Sequence, residues 1–148
     1  MENETRKKTE EALAEIYRNA QLALQSIADI LPQVEDEETK TELHAQHEQY
    51  EHFSAKAAML AKDKDIELKE PNMFKKAMMW SSIKMNTLSD FSRAHIADMM
   101  VQGTVMGVTS LRTTANDLSP DGDQEIVALL DEMIKTEEQF EKKWKEFL

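Results

Sequence analysis

The sequence predicts an all-α protein built as an antiparallel four-helix bundle. Three observations carry this prediction. The chain of 148 residues contains only three Gly and three Pro, too few for strands joined by tight turns. Its commonest residues, Ala, Leu, Glu, Lys, Gln and Met, are good helix formers. Apolar residues also recur every three or four positions over long stretches, the period of a helix with one buried face. The length suits one domain, residues 1–148, with room for a core.

The first helix is predicted from about Asn3 to Leu31. Leu13, Ile16, Ala20, Leu24, Ile27 and Leu31 form its stripe. Pro32 ends it, because proline has no backbone donor and disfavours a helical residue before it. The second helix runs from about Asp36 to Lys64. Asp36 is its N-cap, and acidic residues fill the first turn, where the helix dipole favours them. Its stripe reads Leu43, His47, Tyr50, Phe53, Ala57 and Leu60.

A charged connection around Pro71 follows, and helical pattern resumes from Met73 to about Leu118. One straight helix of that length would span roughly 70 Å, against roughly 43 Å for the first helix. A compact bundle cannot hide that overhang, so a break is predicted between Ser82 and Asp90. Asn86 serves as the new N-cap. This divides the region into a short helix, Met73 to Met85, and a long one, Thr87 to Leu118. Ser119 and Pro120 signal the start of the last helix. Its stripe is Ile126, Leu130, Met133, Phe140, Trp144 and Phe147.

The third long helix is apolar on nearly every side between Arg93 and Arg112. That composition predicts burial by several neighbours or by a partner chain. Ala94 to Leu111 is almost long enough to consider as a membrane span. His95, Asp98 and Gln102 interrupt it, and a buried central helix is the better reading.

The net charge of −11 supplies no basic face, which argues against nucleic acid and against anionic membrane surfaces. The absence of cysteine excludes disulfides, thiol catalysis and Cys-ligated metal. It fits a reducing cytoplasm, and the charged start from Met1 to Glu11 lacks a signal-peptide core.

Candidate chemistry lies in a polar cluster. His95, Asp98 and Gln102 share one face of the third long helix, at i, i+3 and i+7. His44, His47, Glu48 and Glu51 are similarly spaced on the second helix, and Glu137, between Met133 and Phe140, is placed to point inward. Imidazole and carboxylate groups from facing helices are how bundles build metal sites. The same spacing also describes solvated surface pairs. The His95–Asp98 pair is the most informative, since a charge in an apolar stretch needs a partner. It is read as a ligand or proton carrier, or as a buried contact that fixes helix register.

Gly103 and Gly107, extended by Ser110, form a ridge of small residues suited to close helix approach or to a ligand. Seven of the ten Met residues lie between Met73 and Met106. Spread round a helix, they read as adaptable packing or a partner surface rather than as a copper site. No nucleophile elbow, phosphate loop or HExxH motif is present.

Four amphipathic helices with His and carboxylate residues at interior positions resemble the ferritin-like bundles. The segment HIADMMVQGTVMG from His95 is also similar to a group of uncharacterised bacterial helical proteins of that type. The resemblance implies a ferritin-like bundle with an extra short helix before the third long one. It does not imply the standard di-iron centre, because no Glu-x-x-His occurs in the chain. Two functions follow. One is a non-enzymatic helical module that self-associates as a homodimer or binds a protein partner. The other is a metal-binding protein with a non-standard site drawn from His95, Asp98, His47, Glu51, His44, Glu48 and Glu137. Its cofactor would be a transition metal: iron, zinc or manganese.

Overall fold

A computed structural model describes residues 2–68, 90–118 and 122–148. The described residues form four long helices: α1 (Glu2–Ile30), α2 (Glu37–Asp63), α3 (Arg93–Leu118) and α4 (Gln124–Lys145). None is long and apolar enough to cross a membrane. The predicted short helix Met73 to Met85, the Asn86 cap and the Ser119–Pro120 start signal lie outside the described residues.

Contacts along the helices set their directions. Lys8 reaches Asp117 at one end of the α1–α3 pair, and Asn19 meets Gly107 further along, so these helices are antiparallel. Gln46 with Trp144 and Lys64 with Asp123 show the same for α2 and α4. Arg6 at the start of α1 donates to the Asp65 carbonyl just beyond α2, so α1 and α2 are antiparallel as well. It follows that α3 and α4 are antiparallel too. The start of α3 meets the start of α2 through Arg93 and Asp36, so these two run in the same direction. The end of α2 and the start of α3 consequently lie at opposite ends of the bundle, roughly 40 Å apart at 1.5 Å rise per residue.

Helix ends follow local chemistry. After α1, the chain tightens into a 3-10 turn, Leu31–Gln33, which accommodates Pro32. Extended, buried Val34 then leads into α2. Asp36 caps α2 as predicted, accepting from the Thr39 backbone N–H at 3.0 Å. At the other end Asp65 adopts a positive φ of 55°. Ile66 N–H donates to the Ala61 carbonyl at 2.7 Å and Asp65 N–H to the Lys62 carbonyl at 3.2 Å. This double closure is a Schellman ending with aspartate where glycine is usual.

α3 starts later than the predicted Thr87, because Asp90 to Ser92 are not helical. The Asp90 carboxylate accepts from the Ser92 N–H at 2.8 Å, and the Ser92 carbonyl accepts the first helical bond from Ile96. The chain from Met73 to Leu118 is thus not one unbroken helix. α4 starts at Gln124, capped by Asp123, which accepts from Glu125 N–H and also pairs with Lys64 at 2.7 Å.

The core stripes refine the predicted ones. On α2 the buried positions are Leu43, Gln46, Tyr50, Phe53, Ala57 and Ala61. Steps of three and four along this line place Gln46, not His47, in the core. The Trp144 indole N–H donates to its side-chain carbonyl at 2.8 Å, which satisfies both groups. The other described helices of this chain do not bury α3 on all sides. Its buried residues are Ile96, Ala97, Thr104, Leu111 and Leu118, one narrow stripe, while Val105 and Met106 are exposed. Short polar or small side chains (Ser, Thr, Gly) on its remaining faces need no neighbour.

Candidate functional site

α1 has no fully buried residue between Ala20 and Ile27, nearly two turns of helix. The face that would close on α3 there is open. A cleft of about 340 Å³ separates the two helices at this level. Leu22, Ala23, Met99, Met100 and Met106 make its walls apolar. Glu15, Arg18, Asn19, Ser110, Tyr50 and Glu137 make one end polar. On α1, Glu15, Asn19, Leu22 and Ser26 fall three or four apart and so share a face. Met99, Gly103, Gly107 and Ser110 do the same on α3.

Glu137 stands behind the polar end, brought from α4 at a core position between Met133 and Phe140. It is 1% exposed. Its Oε2 accepts from the Tyr50 hydroxyl at 3.2 Å. Its Oε1 is buried and has no hydrogen-bond partner among the described residues. Burial raises the Glu137 carboxyl from 4.5 to about 8; Tyr50 and Asn19 restrain the rise, and the Glu15 charge adds to it. Burial first, then the neighbouring Glu137 charge, raises the Tyr50 hydroxyl well above its ordinary value. Tyr50 therefore acts as a permanent donor.

The rest of the polar end is internally matched. Arg18 donates to both Glu15 oxygens, and Ser110 donates to Glu15 as well. Arg18 also reaches the Ser110 hydroxyl at 3.2 Å. The Glu15 and Arg18 side chains are only 15% and 19% exposed, so their charges offset each other under limited screening. Asn19 donates to the Gly107 carbonyl at 3.4 Å.

The two glycines of the predicted ridge have different roles. A Cβ on Gly107 would stand 2.5 Å from Glu137 Oε2 and 3.0 Å from Asn19 Nδ2. A Cβ on Gly103 would meet nothing within 4 Å. Only Gly107 is a close-approach position, and the chain itself fills the space beside it. Gly103 faces the open cleft.

The residues singled out in the sequence do not converge. His95 and Asp98 were expected inside the bundle, yet both are exposed. Ala97 marks the buried line of α3, and His95 lies roughly 160° round the helix from it. His95 pairs with Asp90 at 2.8 Å and with the Ser92 hydroxyl at 3.1 Å, while Asp98 accepts from Gln102 at 3.1 Å. His47 pairs with Glu51 at 2.7 Å on a half-buried flank, and His44 and Glu48 face solvent. Among the described residues no three His, Asp or Glu side chains are grouped to hold a metal ion. Of the seven candidates only Glu137 enters the interior. Tyr50 belongs to the predicted stripe of α2, whereas Glu15 lies outside the predicted stripe of α1. Asn19 and Arg18 carry no sequence signal beyond lying three or four residues from Glu15. Comparison with protein-family models, with curated proteins and with solved structures yields no match to this chain.

Proposed function

We propose that the chain is a non-enzymatic binding module that takes a small amphipathic molecule into the cleft between α1 and α3. The observation that carries this reading is the cleft itself. Its volume of about 340 Å³ and its apolar walls with a few convergent polar groups suit a small organic ligand. A binding role fits better than catalysis. Its one serine near a base, Ser110, already donates to Glu15, and no histidine lines the cleft. The test uses Gly103→Leu, which places a side chain in open space and so fills the cleft without displacing its walls. Hexanol added to the natural chain should shift the methyl NMR signals of Met99, Met100 and Met106. The shifts should vanish in Gly103→Leu. No shift of these signals with hexanol would overturn the reading.

The arrangement is also proposed to be ferritin-like. Support comes from α2 and α3 running in the same direction, since ferritin-like bundles contain one long crossover. Spin labels at Glu38 and Ala94 should then lie close, and labels at Asp63 and Ala94 roughly 40 Å apart. The reverse pattern of distances would exclude this arrangement.

A further inference from the structure

The polar end of the cleft carries an uneven charge balance whenever Glu137 is ionised. Three ionisable side chains meet there apart from Tyr50. Arg18 and Glu15 neutralise each other, and Ser110 supplies a further hydrogen bond to Glu15. Glu137 has no cationic partner among the described residues. One of its oxygens accepts from Tyr50, and the other, fully buried, accepts from no described group. A buried carboxylate oxygen without a donor costs free energy, and natural structures rarely leave one so. No described residue supplies that donor, and the Glu137 side chain is part of the lining of the cleft.

We propose that the cleft binds an organic ammonium ion, with the apolar body between Leu22, Met99 and Met100 and the N–H donors directed at the Glu137 carboxyl group. This rests on the reading of the cleft as a small-molecule site and specifies its ligand. An ammonium group donates hydrogen bonds and accepts none. It matches the ionised, acceptor-only form of the Glu137 carboxyl and balances the charge that this form carries. A carboxylate ligand would face Glu15 and Glu137 together. An alcohol would satisfy the oxygen without balancing the charge.

The proposal carries a proton. At neutral pH the free carboxyl is largely protonated, because its pKa is about 8. Binding an ammonium ion favours the ionised form, so the carboxyl releases a proton as the ion binds. The groups facing Glu137 do not compete for this role. Tyr50 from α2 stays protonated, Asn19 and Gly107 are neutral, and Glu15 from α1 remains paired with Arg18. Affinity therefore rises with pH up to about 8 and falls only where the amine itself loses its proton, near ~10.

The experiment titrates the full chain with hexylammonium, hexanol and hexanoate by calorimetry, at about pH 6 and about pH 8.5. At the higher pH hexylammonium should bind at least about tenfold more tightly than hexanol, and this advantage should shrink about tenfold or more at the lower pH. Hexanoate should bind weakest. In Glu137→Gln, hexylammonium should lose its advantage over hexanol and its pH dependence. Titrations of the natural chain in buffers of different ionisation enthalpy, near neutral pH, should report close to one proton released. Hexanol binding as tightly as hexylammonium, or no proton release, would overturn the ammonium assignment and leave the cleft reading intact. If none of the three probes binds, both fall together.

Discussion

Gly107 and Glu137 share one volume: the carboxylate Oε2 occupies the place where a Cβ at position 107 would project, 2.5 Å from it. The carboxylate of α4 approaches α3 there because α3 carries no side chain to stop it. Replacing Gly107 by Ala should force Glu137 away from Tyr50 and cost about 1–3 kcal/mol, even though alanine is the better helix former. Gly103→Ala should have the opposite sign, a gain of up to about 1 kcal/mol, since its Cβ meets nothing. Urea unfolding of the two variants, followed by circular dichroism, checks the pair. Equal effects at both positions would contradict this account.

The same carboxyl sets a pH dependence of stability. Unfolded, it ionises near 4.5; folded, near about 8. The folded state therefore holds an extra proton between those values. Its contribution is fully present below about pH 4.5 and is lost as pH rises through about 8, by up to about 5 kcal/mol at ~1.4 kcal/mol per decade. Asp36 and Asp123 act in the other direction, since hydrogen bonds from Thr39 and from Lys64 respectively lower their pKa values. Their contributions fade as pH falls below the usual carboxylate range. Stability should peak on the acid side of neutrality. Glu137→Gln should flatten the alkaline limb, measured as the urea midpoint against pH.

The buried contact between Gln46 and Trp144 joins α2 to α4 at the end opposite Asp123. Gln46→Leu leaves the indole N–H without an acceptor in a dry environment, which costs about 1–3 kcal/mol. His47→Leu, one residue along on the half-buried flank, should change stability by less than about 0.5 kcal/mol. Unfolding midpoints that rank these two in the other order would place the core line of α2 wrongly.

Asp65 occupies a left-handed conformation at the end of α2. A residue with a Cβ pays roughly 1 kcal/mol there. Asp65→Gly should accordingly stabilise the chain by about 0.5–1 kcal/mol, because the two bonds of the ending come from backbone groups and survive. A thermal melt gives the sign directly.

Asp98→Ala should change stability by less than about 0.5 kcal/mol, since its carboxylate faces solvent and holds only Gln102. A loss above about 1 kcal/mol would mean that Asp98 is buried after all.

Much of the fold was legible in the residues. The stripes of α1 and α4, the Asp36 cap and the end of α2 follow from local chemistry, and the structure keeps them within a few residues. α3 was less legible. Its apolar composition suggested burial on every side, but periodicity cannot distinguish a small exposed residue from a small buried one. A helix rich in Gly, Ala, Ser and Thr has no strong face of its own. Its neighbours select one, and they selected the line through Ala97, Thr104 and Leu111. That choice turned His95 and Asp98 outward.

The sequence by itself determined four long helices, most of their boundaries and the inward position of Glu137, because each depends on contacts within a turn or two of chain. Only the tertiary structure decided that Glu137 meets Tyr50 and Gly107, that Glu15 and Arg18 neutralise each other beside it, and that α1 and α3 part to leave a cleft. Tyr50 and Glu137 stand 87 positions apart, and Glu15 and Ser110 stand 95 apart. These relations depend on the relative rotation and spacing of packed helices, which no periodicity within a single helix encodes.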